Sequence, residues 1–230
     1  MKFWRRNWYY IGGILFVALT FIMGLWGCYH LPRIQVILIF SWMAMLVHQF
    51  EEYALPGGFP SITNLAAFRE REEPRKYPFN QMQCFVCNVF LCYAFYILAI
   101  IFPNCVWLGA SQVLGAYVQL IAHGIIMNIA LKGIYNPGLG ATVFLQVPVA
   151  VAYILEVMNT MPDKAWQIWI GVPGALIGLT IVFIGPVFIF KTRNNNYPFE
   201  EEEMYGYAKD KILALYNSKE PSIIQKLGIK

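Results

Sequence analysis

A chain of 230 residues that is 58% hydrophobic, 17% aromatic and only 13% charged is too apolar for an ordinary soluble domain, in which about a quarter of the residues are charged. The composition predicts an all-α, polytopic integral membrane protein, because a backbone in lipid must satisfy its own hydrogen bonds. The net charge of +4 is accounted for by basic residues facing anionic lipid heads, so membrane lipids are the expected partner and nucleic acid is not.

Crossing the hydrocarbon takes about 20 apolar residues, and six stretches qualify in chain order. They run from Trp8 to Trp26, from Ile34 into the motif at His48, from Met82 to Phe102, from Val106 to Leu131, from Ala141 to Met158 and from Trp166 to Phe190. The first follows Lys2, Arg5 and Arg6, as a secretory signal would, but its apolar run exceeds the roughly 7–15 residues of a signal peptide core. It is read as a retained helix.

Basic residues cluster in alternate connections. With the N-terminus inside, only Arg33 and Lys164 lie outside, so the positive-inside bias predicts that both termini are cytoplasmic, in a multi-pass protein of the cell membrane. Residues 1–193 form the transmembrane domain, and 194–230 form a cytoplasmic tail with a peripheral helix. That helix is expected to start at the acidic run Glu200 to Glu203 and to present Tyr205, Ala208, Ile212 and Leu215 as one apolar stripe. The connection from Tyr53 to Asn80 carries the breaker cluster Pro56-Gly57-Gly58-Phe59-Pro60 and a charged run from Arg69 to Lys76, which lies on the membrane surface or folds over the site. Gly171, Gly174 and Gly178 in the sixth stretch permit close helix packing, within or between chains. Cys28 and Cys105 both fall on the external side, and pairing and two free thiols remain open alternatives.

Ionisable side chains inside a bilayer need a partner, a wet cavity or a function. His48, Glu51 and Glu52 stand at i, i+3 and i+4, so they share one arc of a helix about 100° wide. His123 lies nine residues before Lys132, about 13 Å into the membrane from the same side at 1.5 Å per residue. Gln112, Ala116 and Gln119 share its side of the fourth helix, Asn88 lies on a polar side of the third, and Thr142 and Gln146 on a polar side of the fifth. These positions predict a cavity opening to the cytoplasm, lined by Asn88, Gln119 and Gln146. Two imidazoles and two carboxylates suit zinc, iron or manganese. By analogy with helical zinc motifs that place ligands at i and i+4, His48, Glu52 and His123 are the candidate metal ligands and Glu51 the general base. Cys84 and Cys87 make a CxxC inside an apolar helix, where packing is the commoner use.

With His48, Glu51 and Glu52 in place, six helices in a chain of this size, and less firmly His123 and Tyr135-Asn136-Pro137-Gly138, the sequence resembles the HXXEE family of polytopic membrane proteins. That family has no assigned chemistry, so the resemblance marks the motif and leaves the reaction open. A second comparison, with membrane proteases of the CAAX-processing type, departs at the arginine that follows their paired glutamates; here Glu51-Glu52 precedes Tyr53-Ala54-Leu55-Pro56. The expected function is a metal-dependent membrane hydrolase acting on a lipophilic or membrane-anchored substrate. The alternatives are a metal-free histidine-glutamate isomerase or cyclase of a lipid or isoprenoid, and a transporter or binding protein with a proton or cation site.

Overall fold

The computed structural model describes residues 1–218, 220, 221, 223–226 and 228, and among these every regular element is helical, with no strand. Six helices are long and apolar enough to cross a membrane: α1 Lys2–His30, α2 Arg33–Tyr53, α3 Gln81–Ile101, α4 Val106–Leu131, α5 Leu139–Thr160 and α6 Gln167–Phe190. All six stretches read from the sequence are present. The first is longer than its apolar run, because α1 takes in Lys2, Arg5 and Arg6 at one end and Cys28–His30 at the other. All five cysteines are free thiols.

Short connections join α1 to α2, α3 to α4 and α5 to α6 at one end of the bundle. The long connection after α2, the turn before α5 and the tail after α6 gather at the other, hereafter the terminal end. Close approach is bought with small residues. A Cβ on Gly171 of α6 would stand 2.5 Å from Ala110 Cβ of α4, and one on Gly174 would fall on Ser111 Oγ. The glycine contacts predicted for α6 are therefore contacts within the chain. Toward the terminal end α6 leaves α4 and leans on α3 and the segment before it: Gly178 faces the Phe95 ring, Phe183 packs on Phe79, and Gln83 Nε2 donates to the carbonyls of Pro186 and Val187.

The segment 54–80 folds over the bundle instead of lying along the membrane. Tyr53, Phe59, Ile62, Leu65 and Phe79 form one buried cluster with Phe199, Met204, Ile212 and Leu215 of the tail. The tail helix α7 spans Lys209–Asn217, after a single helical turn at Glu201–Met204, so the acidic run and the apolar stripe belong to two separate pieces. Two of the four stripe residues, Ile212 and Leu215, are buried, and their partners are the bundle's own cap.

Candidate functional site

His48 and Glu52 lie one turn apart near the end of α2, and His123 lies in α4 at a stretch of wider π-helical turns, Ala122–Met127. A nitrogen of each imidazole and a Glu52 oxygen lie within 4.8 Å of one another. Glu52 Oε1 stands 3.3 Å from His123 Nε2 and 3.6 Å from His48 Nε2, and the two rings meet edge to face with centroids 4.9 Å apart. The three residues are 1–5% exposed, so no bulk water offsets the cost of gathering them.

The surrounding groups fix which ring nitrogen carries hydrogen. His48 Nδ1 is 2.9 Å from the Gly138 carbonyl oxygen, which can only accept. Asn136 donates through Nδ2 to the His123 carbonyl and to Asn128 Oδ1, which leaves its Oδ1 to accept from His123 Nδ1 at 2.7 Å. Both imidazoles therefore donate from Nδ1 and, when neutral, turn the lone pair of Nε2 toward a Glu52 oxygen that is also an acceptor. His48 Nε2 is buried with no hydrogen-bond partner. With both rings neutral, three acceptors converge without a donor.

Gly138 is the residue that seats both rings. It holds φ at 99°, a left-handed conformation that costs other residues dearly, and a Cβ there would stand 2.6 Å from His123 Cε1 and 2.8 Å from His48 Cε1. The segment Tyr135-Asn136-Pro137-Gly138, legible in the sequence as a turn before α5, is thus part of the site: one member orients His123, another receives His48. The signal was the asparagine and glycine beside a membrane histidine.

Glu51 is placed differently from the general base that the spacing suggested. Its Oε1 accepts from Tyr135 Oη at 2.7 Å and the Gly140 N–H at 3.0 Å, and its Oε2 from the Ala141 N–H at 2.7 Å. Those amides belong to the first turn of α5, where a helix lacks internal partners for its N–H groups and favours negative charge. Burial pushes the Tyr135 phenol up, and the Glu51 carboxylate adds to the shift, so Tyr135 stays a donor. Glu51 closes the start of α5 and is not among the cavity-lining residues.

A cavity of about 160 Å³ runs from Glu52, His48 and His123 between α2, α3, α4 and α6. Asn88 and Gln119 line it as expected; Gln146 does not. Gln146 instead meets Met45 Sδ and accepts from Thr142 Oγ1, behind the His48 ring, which Thr142 touches at Nδ1. Gln49, on the next face of α2, donates to Asn88 Oδ1 and accepts from Tyr93, which fixes the Asn88 wall. The cavity does not open at the terminal end: Phe59, 4% exposed, lies tilted over the His123 ring at 5.6 Å between centroids, and the cap described above covers it. The lining residues that keep partial exposure include Val118, Gln119 and Ala122 of α4 and Leu179, Val182 and Phe183 of α6.

Comparison with curated proteins and with solved structures finds no match. A family profile described as "Protein of unknown function with HXXEE motif" matches residues 39–153, half of the chain. That span holds the ligand-type residues, the Glu51 clamp and the turn that seats both imidazoles. The chain belongs to the HXXEE family.

Proposed function

We propose that His48, Glu52 and His123 hold a divalent transition metal and that the protein is a metal-dependent membrane hydrolase of lipophilic substrates. The observation that carries the reading is the buried convergence of two imidazole nitrogens and a carboxylate oxygen, in which His48 Nε2 is left with no hydrogen-bond partner. Ligand atoms about 2.0–2.2 Å from a tetrahedral zinc stand roughly 3.4 Å apart, and the two separations from Glu52 Oε1 are 3.3 and 3.6 Å. Both histidines also give their second nitrogen to a carbonyl oxygen, the outer contact that metal-bound imidazoles usually make.

Two histidines and one carboxylate leave a fourth position, toward the cavity. A metal held by these residues would supply a Lewis acid and an acidified water, the chemistry needed to add water across an ester or amide and release an acid and an alcohol or amine. Glu52 is the only carboxylate among the lining residues described, so Glu51 is assigned to positioning α2 against α5. A metal-free reading would put a proton between His123 and Glu52 at their 3.3 Å separation. That proton satisfies one edge of the triangle and leaves His48 Nε2 orphaned, so the metal reading accounts for more of the site.

The test is metal analysis of the purified chain. Stoichiometric zinc, iron or manganese, lost in His48→Ala together with hydrolysis of an esterified lipid, supports the reading; a preparation with no divalent metal, whose thermal midpoint ignores added zinc, iron and manganese, defeats it. We further propose that both termini are cytoplasmic. Cys28, free and exposed near the opposite end, then reacts with a membrane-impermeant thiol reagent in intact cells; protection of Cys28 until lysis reverses the orientation.

A further inference from the structure

We infer that the gap between α4 and α6 is a side entrance from the bilayer core, and that it takes the hydrocarbon chain of a single lipid whose polar linkage is carried to His48, Glu52 and His123. The chemistry at the inner end rests on the metal reading; the entrance does not.

The gap follows from where the two helices are pinned. Gly171 against Ala110 and Gly174 against Ser111 lock them together at the end away from the tail. Below that lock α6 follows α3 and the segment before it, through Gly178 on Phe95, Phe183 on Phe79 and Gln83 on the carbonyls of Pro186 and Val187. Meanwhile α4 stays with the turn before α5 through the hydrogen bonds of Asn136. Val106–Ile121 and Gln167–Leu179 stay packed together, and beyond them the two helices are held by different partners and part toward the terminal end.

The position and the walls of this slot select the guest. Along α4 the lining reaches from Met127 through His123 and Gly115 to Ser111, and the stretch from His123 to Gly115 is eight residues or about 12 Å. Gly115 lies 16 residues from Leu131, about 24 Å from the terminal end of the helix, so the slot is inside the roughly 30 Å hydrocarbon layer. A Cβ on Gly115 would meet nothing within 4 Å; the wall there stands open. The α6 wall is apolar, with Ala175, Leu179, Val182 and Phe183, and the polar lining is Ser111, Gln112 and Gln119 on α4 and Asn88 on α3. Both other routes are closed, one by the glycine lock and the other by Phe59 and the cap. A headgroup-sized polar solute has no aqueous path to the cluster, and an acyl or alkyl chain at this depth has a direct one.

The test uses the full chain in phosphatidylcholine vesicles that contain a trace of palmitoyl phosphatidylcholine bearing a photoreactive diazirine midway along its chain. Expected adducts fall on Val118, Ala122, Leu179 and Val182. In Gly115→Trp, which fills the slot without touching the helix lock, slot labelling drops about tenfold, the factor that corresponds to 1.4 kcal/mol of lost binding. Labelling of the outward-facing Ile121 and Ile181 and the thermal midpoint stay unchanged. Val118→Trp serves as a second plug. Labelling confined to outward faces, or slot labelling that neither plug reduces, overturns the entrance. Slot adducts in a wild-type preparation that holds no divalent metal uphold the entrance and reject the metal reading; bound metal with no slot adducts does the reverse.

Discussion

At the scale of single residues the site separates ligand-type atoms from the groups that aim them, and the two kinds should fail differently. Asn136 makes three hydrogen bonds, one of which holds the His123 ring by Nδ1. Asn136→Ala is expected to weaken metal affinity by about 10–100-fold, the usual cost of losing such an outer partner, with metal titration as the measurement. Glu51→Gln tests the reassignment of Glu51. Glutamine presents an NH₂ group to one of three donors, so a charge-assisted hydrogen bond is lost, and the thermal stability should fall by about 1.5–3 kcal/mol. A general base would instead lose turnover with its stability intact. The motif His48, Glu51 and Glu52 was legible in the sequence as one charged arc of a helix. Which glutamate faces the histidines was not, because neighbouring positions 100° apart share that arc and the choice is made by the α5 N-terminus, 90 residues away along the chain. The same holds for Asn128: regular α-helical geometry puts it about 140° from His123, whereas the π-helical turns of Ala122–Met127 bond five residues apart, and Asn136 bridges the two.

At the scale of elements, glycines that look alike in the sequence have opposite duties. Gly171 sits where a Cβ would stand 2.5 Å from Ala110 Cβ and 2.9 Å from its carbonyl carbon, and Gly115 where it would meet nothing. Gly171→Ala is therefore expected to cost about 1–3 kcal/mol by overpacking, read as a lower thermal midpoint in detergent, and to disturb the mouth of the slot with it. Gly115→Ala should leave the midpoint level or raise it slightly, since alanine is the better helix former by about 1 kcal/mol. Equal midpoints for the two variants would remove the helix lock from the account. The existence and order of the six spanning helices could be read from hydrophobic length alone, because lipid enforces one secondary structure on any long apolar run. The direction in which the cavity opens could not. Polar stripes on α3, α4 and α5 pointed to an interior, but the closure of the terminal end depends on Phe59 meeting His123 and on Phe199, Met204, Ile212 and Leu215 packing beneath it, contacts between segments with no shared periodicity.

At the scale of the whole molecule, a buried acid is one of the contacts that couple the tail to the bundle. Glu203 lies in the single helical turn after the bundle, 7% exposed, and its Oε2 accepts both from Gln81 Nε2 at the start of α3 and from the Glu200 N–H. Burial raises its carboxyl above the ordinary carboxylate range; the Glu200 N–H and Gln81 pull it back, the Glu200 charge pushes it up further and Arg6 pulls it down. The sign for stability follows from linkage. An acid whose folded value is raised binds protons more tightly in the docked state, so its contribution to docking is fully present below the ordinary carboxylate range and is lost as pH rises through the raised value. Docking of residues 200–217 should therefore tighten as pH falls toward the carboxylate range, measured as slower amide exchange in α7. Glu203→Gln reproduces the protonated form, with one oxygen left for both donors, and should hold the tail at its low-pH protection across the whole interval. If wild type and variant change in parallel with pH, the titrating group is elsewhere and the cap is not held by Glu203. If the variant is flat and protected while the wild type loosens as pH rises, the floor beneath Phe59 and His123 responds to proton concentration, with the buried acid at residue 203 as its sensor.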